Sequence, residues 1–159
     1  MPANRRSTML GMSRKVLFAI EAVLDIAYHA GSEPVQSREI TRRQGIPRRY
    51  LEQALQSLVR DGILVGVRGP RGGYRLARER RRITVGEIVR VVRPAENEDD
   101  PLQDGPTSPL GCQVVRPLWL DLQGEVMLQL NRITLDDLCG RANAAGIVSE
   151  GRQAIDFVI

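Results

Sequence analysis

"VRGPRGGYRLAR", residues 67–78, carries four arginines, three glycines, a proline and a tyrosine in twelve positions. A tight cationic turn between short apolar runs has three physical readings: an enzyme's phosphate loop, a nucleic-acid-binding wing, or a solvated hairpin. A Walker-type phosphate loop ends in Gly-Lys-Ser/Thr and leads straight into a helix. Here a tyrosine and the strand-like "YRL" (74–76) follow instead. The segment upstream has to decide between the other two.

That segment is "PVQSREITRRQGIPRRYLEQALQSLVRDGILV", residues 34–65. Ser37 is a good N-cap for a short helix through Gln44, and Gly45 supplies its left-handed stop. Pro47 then opens a second helix, where its missing N–H costs nothing. Leu51, Ala54, Leu55 and Leu58 form one buried stripe, leaving Arg48, Arg49, Tyr50, Gln53 and Gln56 on the other faces. Asp61-Gly62 ends it. Two helices joined by a short glycine-containing turn are a helix-turn-helix. "ILVGV" (63–67) as a strand, "RGPRGG" (68–73) as a turn and "YRL" as the return strand add a wing. The expected fold is therefore mostly α with a small β-hairpin wing.

DNA fits this chemistry. A helix enters the major groove, where Arg contacts guanine and Gln contacts adenine, most often from its N-terminal half. Arg48, Arg49, Tyr50 and Gln53 occupy that half. Gly69, Gly72 and Gly73 are expected to let the wing turn sharply and approach phosphates, with Arg68 and Arg71 beside the backbone or in the minor groove. Charge distribution agrees. Residues 1–93 hold 19 Arg and Lys against 8 Asp and Glu, whereas residues 94–159 hold 4 against 11. A cationic front and an anionic rear suit a polyanion at one end only.

The flanking segments complete the domain plan. Residues 1–12 read as a disordered arm and 13–93 as the winged DNA-binding domain. Within it, Val16, Ile20, Val23, Leu24 and Ala27 recur at helical spacing after Ser13, and Gly31 is expected to stop that helix. Thr84 and Glu87 have capping-box spacing before "VGEIVRVV". Residues 94–111 read as an acidic, Pro/Gly-rich linker or sensor loop. Residues 112–144 hold a long C-terminal dimerisation helix opening at Pro117 and a short helix capped by Thr134 and Asp137. The long helix is apolar enough to form a homodimer interface, with Trp119, Leu122, Val126 and Leu130 as candidate contacts. The tail, 145–159, shows no strong pattern and is expected to fray.

Other functions find little support. No apolar run approaches the ~20 residues of a membrane span, and the N-terminus lacks a signal-peptide core, so cytoplasmic residence is expected. With one histidine, His29, and neither paired carboxylates nor a nucleotide loop, the chain does not read as an enzyme. Two cysteines are too few for a disulfide framework. Cys139 reads as core packing. Cys112, ahead of a helix N-terminus and near Arg116, reads as a thiol sensor. The competing function is an interaction module, the winged helix docking a metabolic enzyme.

"AVLDIA", "RRQGIPRRYLEQALQSLVRDGIL", "VRGPRGGYRLAR", "ITVGEIVRVV", "PLWLDLQ" and "ITLDDL" together resemble the Rrf2 family of bacterial winged-helix regulators (the IscR, NsrR and CymR type), over roughly residues 13–140. The resemblance implies a homodimeric transcriptional regulator, expected to be a repressor, on a palindromic operator. It also implies that the helix from about Pro117 to Asn131 crosses to the partner, and that Glu52 tunes operator choice. Cluster-binding members carry three cysteines before the long helix. This chain has Cys112 alone, and Arg116 stands where a ligand histidine is expected. A cluster needs four ligands, so an iron–sulfur cofactor would require side chains from the partner chain, and no cofactor or metal is assigned. Leu17 replaces an arginine expected to clamp DNA, leaving backbone contacts to Arg14, Lys15 and Ser37.

Overall fold

A computed structural model describes residues 14–93 and 108–151. The expected N-terminal arm, most of the acidic linker and the last part of the tail lie outside the described residues.

Helix α1 (Arg14–Tyr28) is the axis of the molecule. Its Val16, Ala19, Ala22, Val23, Ile26 and Ala27 are buried. α2 (Ser37–Gln44) and α3 (Arg48–Arg60) pack against α1, followed by the antiparallel hairpin β1 (Leu64–Val67) and β2 (Gly73–Leu76). Register runs from Leu64 opposite Leu76 to Val67 opposite Gly73. Val35 extends the hairpin by pairing with Tyr74, each N–H donating to the other's carbonyl, at 3.0 and 2.8 Å. A short 3₁₀ turn (Arg80–Arg82) leads to α4 (Val85–Val92), then α5 (Arg116–Arg132) and α6 (Leu135–Ala144).

The core joins these elements through Ile40, Leu51, Leu55, Leu58, Ile63, Leu64, Ile83, Ile88 and Leu135, all at most 2% exposed. The α3 stripe expected from the sequence is buried as read: Leu51, Ala54, Leu55 and Leu58. Two matching caps bring the rear of the chain onto the front. Thr84 Oγ1 accepts from the Glu87 N–H at 3.2 Å, and Thr134 Oγ1 from the Asp137 N–H at 3.1 Å. The two threonines pair as an antiparallel bridge, with Val85 N–H donating to Ile133 and Leu135 N–H to Ile83, both at 2.9 Å. Half-buried threonine-led entries thus start both helices and splice them together.

Several local expectations are corrected. Gln36, not Ser37, caps α2: its N–H donates to Glu39 Oε2 at 2.8 Å, and Ser37 is already helical. Gly45 does take the left-handed conformation, at φ 65°. Pro47 is the N-cap of α3 rather than its first residue, because its extended ψ of 132° sets the chain's entry angle. α1 ends at Tyr28, three residues before Gly31. The helix carrying α5 begins well before Pro117. Ser108 Oγ accepts from the Gly111 N–H at 3.1 Å, and a wide π turn (Gly111–Val115) runs directly into α5. Cys112 is therefore part of the helical run, not of a loop ahead of it. The tail's first residues, Ile147–Gly151, are docked on the body rather than frayed.

Candidate nucleic-acid interface

With its apolar stripe buried, α3 turns Arg48, Arg49, Glu52 and Gln53 to solvent. Arg48 and Glu52 form an i,i+4 ion pair at 2.8 Å, exposed at both ends. Such pairs contribute little in water, so Arg48 can exchange its carboxylate for a stronger anion. Arg49 and Gln53, one turn apart on the same helix, are likewise exposed.

Tyr50 is placed differently from its neighbours. Its ring stacks on Phe18 of α1, centroids 6.2 Å apart and planes at 29°. Lys15 Nζ lies 5.9 Å over the Tyr50 ring, and Arg14 lies 5.7 Å over Phe18. The start of α1 and the start of α3 thus form one surface of two rings and two cations. Sequence reasoning placed Arg14, Lys15 and Tyr50 at the interface but gave Phe18 only an apolar place on the first helix. Its place one turn after Arg14, at i,i+4 on the same helix, was the available signal. Leu17, beside them, is 49% exposed.

The structure separates the four arginines of the opening motif. Arg78 donates through both terminal nitrogens to Glu87, at 3.1 Å, tying the wing's exit to α4. Arg75 donates to the Ser32 carbonyl at 2.8 Å. Arg68 and Arg71 remain at the exposed tip, Arg71 with a long 3.5 Å ion pair to Glu33. Gly69 has φ 113°, a conformation glycine alone adopts easily. Gly72 and Gly73 answer to packing within the chain. A methyl on Gly72 would strike the Val67 carbonyl across the wing, and one on Gly73 would strike Val35. Ser37 is half-buried at the start of α2, its carbonyl accepting from Thr41 Oγ1 at 3.2 Å.

The rear of the molecule has a different character. Leu110, Val114, Val115, Leu118, Leu120, Leu122 and Leu128 are exposed along the α5 run, and no α5 residue is fully buried. Of the four residues expected at a dimer interface, Leu122 is exposed and Trp119 and Val126 are half-buried. Leu130 packs instead against the chain's own core, together with Met127 and Ile133. Cys112 is exposed near the head of this run, its N–H donating to the Ser108 carbonyl at 2.9 Å. Cys139 is buried in the core. Among the described residues no group of three His, Cys, Asp or Glu side chains is arranged to hold a metal. One exposed cysteine does not fit an iron–sulfur cluster within a single chain.

A network that sequence reasoning missed lies behind the helix pair. Asp25, a charged residue within the largely apolar α1, is 2% exposed. It accepts from Arg43 Nε and Nη2 at 2.9 and 2.8 Å and from Gln44 Nε2 at 2.7 Å. The hydrogen bond to Asp25 holds the Arg43 guanidinium above its ordinary pKa. An acidic residue inside an apolar run was its only sequence signal.

Comparison with known proteins places this arrangement. The sequence profile of the Rrf2 family, described as an iron-dependent transcriptional regulator, matches residues 12–141. The HTH-type transcriptional regulator IscR of Pectobacterium carotovorum is 37% identical over 151 residues, covering 92% of this chain and 88% of its own. A putative HTH-type transcriptional regulator of Azotobacter vinelandii is 35% identical over 86% of this chain and 84% of its own. Among solved structures, T. potens IscR superposes with a TM-score of 0.69 at 33% identity, covering 86% of this chain and 91% of that one. CymR, the global cysteine regulator of B. subtilis, gives 0.66 at 29% identity, covering 84% and 98%.

Proposed function

Because the chain belongs to the Rrf2 family of winged-helix, DNA-binding transcriptional regulators, we propose that it acts as a homodimeric repressor on a palindromic operator. In this proposal α3 lies in the major groove of each half-site, with Arg49 and Gln53 on base edges and Arg48 exchanging Glu52 for DNA. Glu52, released, accepts from cytosine N4 and penalises other bases. Arg68 and Arg71 at the wing tip, and Arg14 and Lys15 on their aromatic platform, meet phosphates on either side. Residues 13–93 form the DNA-binding unit and the run through α5 the dimerisation unit, the 94–111 segment joining them. A dimer on a palindrome blocks a promoter by occupancy, which makes repression the simplest regulatory outcome.

The observation that carries this is the division of α3. Leu51, Ala54, Leu55 and Leu58 are buried, and Arg49 and Gln53 stand exposed on the opposite side, with Lys15 held over Tyr50 next to them. The exposed leucines of α5 support a second copy as their cover, since an apolar helix face in water is otherwise unfavourable. Cys112, exposed near the head of the same helix, is the proposed signal-responsive group, a thiol that peroxide would oxidise to a sulfenic acid with release of water.

The test is selection from a random duplex library by the purified protein, followed by titration across salt. A palindromic consensus, with log affinity falling by ~0.9 per phosphate contact per log unit of salt, is expected. Recovery of no preferred sequence would end the operator proposal.

A further inference from the structure

Beyond α6 the chain returns to the far end of α1 and fastens there. The Tyr28 hydroxyl donates to the Ile147 carbonyl. Ser149 Oγ donates to the Tyr28 carbonyl at 2.7 Å, and the Glu150 N–H donates to His29 Nδ1 at 3.1 Å. Burial and Arg43 hold the His29 imidazole below its ordinary pKa, which keeps it neutral and able to accept. Gly151 lies directly against the α1 end: a methyl there would collide with the carbonyls of His29 and Ala30. These contacts join residues about 120 positions apart, by the 119 and 121 residues that separate the partners.

The same segment grips the helix-turn-helix. Glu150 accepts from Arg43 Nη1 at 2.6 Å and from Arg42 Nη2 at 2.9 Å. Arg43, 9% exposed, passes the contact on to Asp25, whose side chain is fully buried. Beside Arg42 and Arg43, α2 is tied to α1 by the Gln44 Nε2 hydrogen bond to Asp25 at 2.7 Å. Of its eight residues only Ile40 is buried. A helix with one apolar anchor can pivot about it, and the Asp25–Arg43–Glu150 network fixes its other end. In a helix-turn-helix this first helix lies across the DNA backbone while the second enters the groove, so its angle bears on how α3 is presented.

We propose that Ile147–Gly151 is a strap that positions α2 for DNA binding, with Glu150 as a positioning residue acting through Arg42 and Arg43. This rests on the assignment of α2 and α3 as the DNA-binding pair. The strap makes affinity depend on a segment that touches no DNA, and anything that lifts it would weaken binding without altering a contact residue.

Two substitutions test it in the full-length protein. Glu150→Gln removes a negative charge, which by electrostatics alone would strengthen attraction to DNA. Strap release predicts the opposite sign. Gly151→Ala changes no charge and pushes the segment off α1 by collision. Amide hydrogen exchange on the DNA-free protein should show α2 exchanging faster in both variants, with α1 and α3 protected as in the parent. Affinity for a duplex selected by the parent should fall about three- to tenfold, with the salt dependence unchanged because no phosphate contact is lost. Unchanged α2 protection in Gly151→Ala, or equal or tighter binding by Glu150→Gln, would overturn the proposal. If the parent protein selects no duplex, the DNA assignment fails instead, and α2 exchange still decides whether the strap holds the helix.

Discussion

Arg68, Arg71, Arg75 and Arg78 belong to one twelve-residue motif, yet only the first two remain at an exposed tip while the others bind Ser32 and Glu87. Substituting Arg71 with alanine should weaken binding to all duplexes alike and lower the salt slope by ~0.9, measured by anisotropy at several salt concentrations. Arg49→Ala or Gln53→Ala should instead relax preference at one base pair, costing ~1–3 kcal/mol there. Competition between single-base operator variants would show it. Asp25 carries a different consequence. Its carboxylate and Arg43 are both desolvated, at 0% and 9% side-chain exposure, and removing one partner of a buried pair costs ~3–5 kcal/mol. Asp25→Ala should lower the urea midpoint accordingly. A loss below 1 kcal/mol would mean that Glu150 and water compensate for the missing acid.

Among elements, the two threonine caps and α5 behave in opposite ways. Thr84 and Thr134 caps are legible at a glance, because capping is local chemistry within four residues. Removing either hydroxyl should cost about 1 kcal/mol. The start of the α5 run is equally local in hindsight, since Ser108-Pro109 is an N-cap followed by an N1 proline. The acidic, proline-rich stretch before it obscured that boundary. Leu130 is harder. Its spacing with Trp119, Leu122 and Val126 puts it on one apolar surface, but α5 is apolar on more than one side. Only packing against α4 shows which side faces inward. Leu118→Glu with Leu122→Glu should leave the fold intact and yield monomers by analytical ultracentrifugation. Operator affinity should fall about a hundredfold or more through lost bivalency. A dimer that survives both charges would place the interface elsewhere.

For the whole molecule, pH couples the two ends of the chain. Burial and Arg43 lower the pKa of His29 from its ordinary 6.5, so the unfolded chain takes up the proton first. Stability is then complete above about pH 6.5 and declines as the pH falls through that value toward the lower native pKa. Glu87 and Glu150 act further down. Burial pushes each upward, but Thr84 with Arg78 and Arg42 with Arg43 outweigh it, leaving both below the ordinary 4.5. Their contribution holds above about pH 4.5 and disappears as the pH falls through the lowered values. Urea midpoints recorded from pH 8 to 3 should therefore drop in two stages. His29 is the sole histidine, so His29→Gln should erase the upper stage while leaving the lower one.

From local patterns alone, the chain's order of helices, its wing, the Thr84 and Thr134 caps and the α3 stripe followed, because each depends on spacings of a few residues and on charges that solvent leaves in place. The division of a cationic front from an anionic rear followed equally, being a matter of composition. Which arginines stay available, why Asp25 is tolerated in a core helix, how Tyr50 comes to rest on Phe18, and where the chain goes after α6 were settled only by folding. Each is a contact between segments distant in sequence. A buried charge or a stacked ring is decided by whatever partner the tertiary packing delivers to it, and the local sequence does not contain that partner.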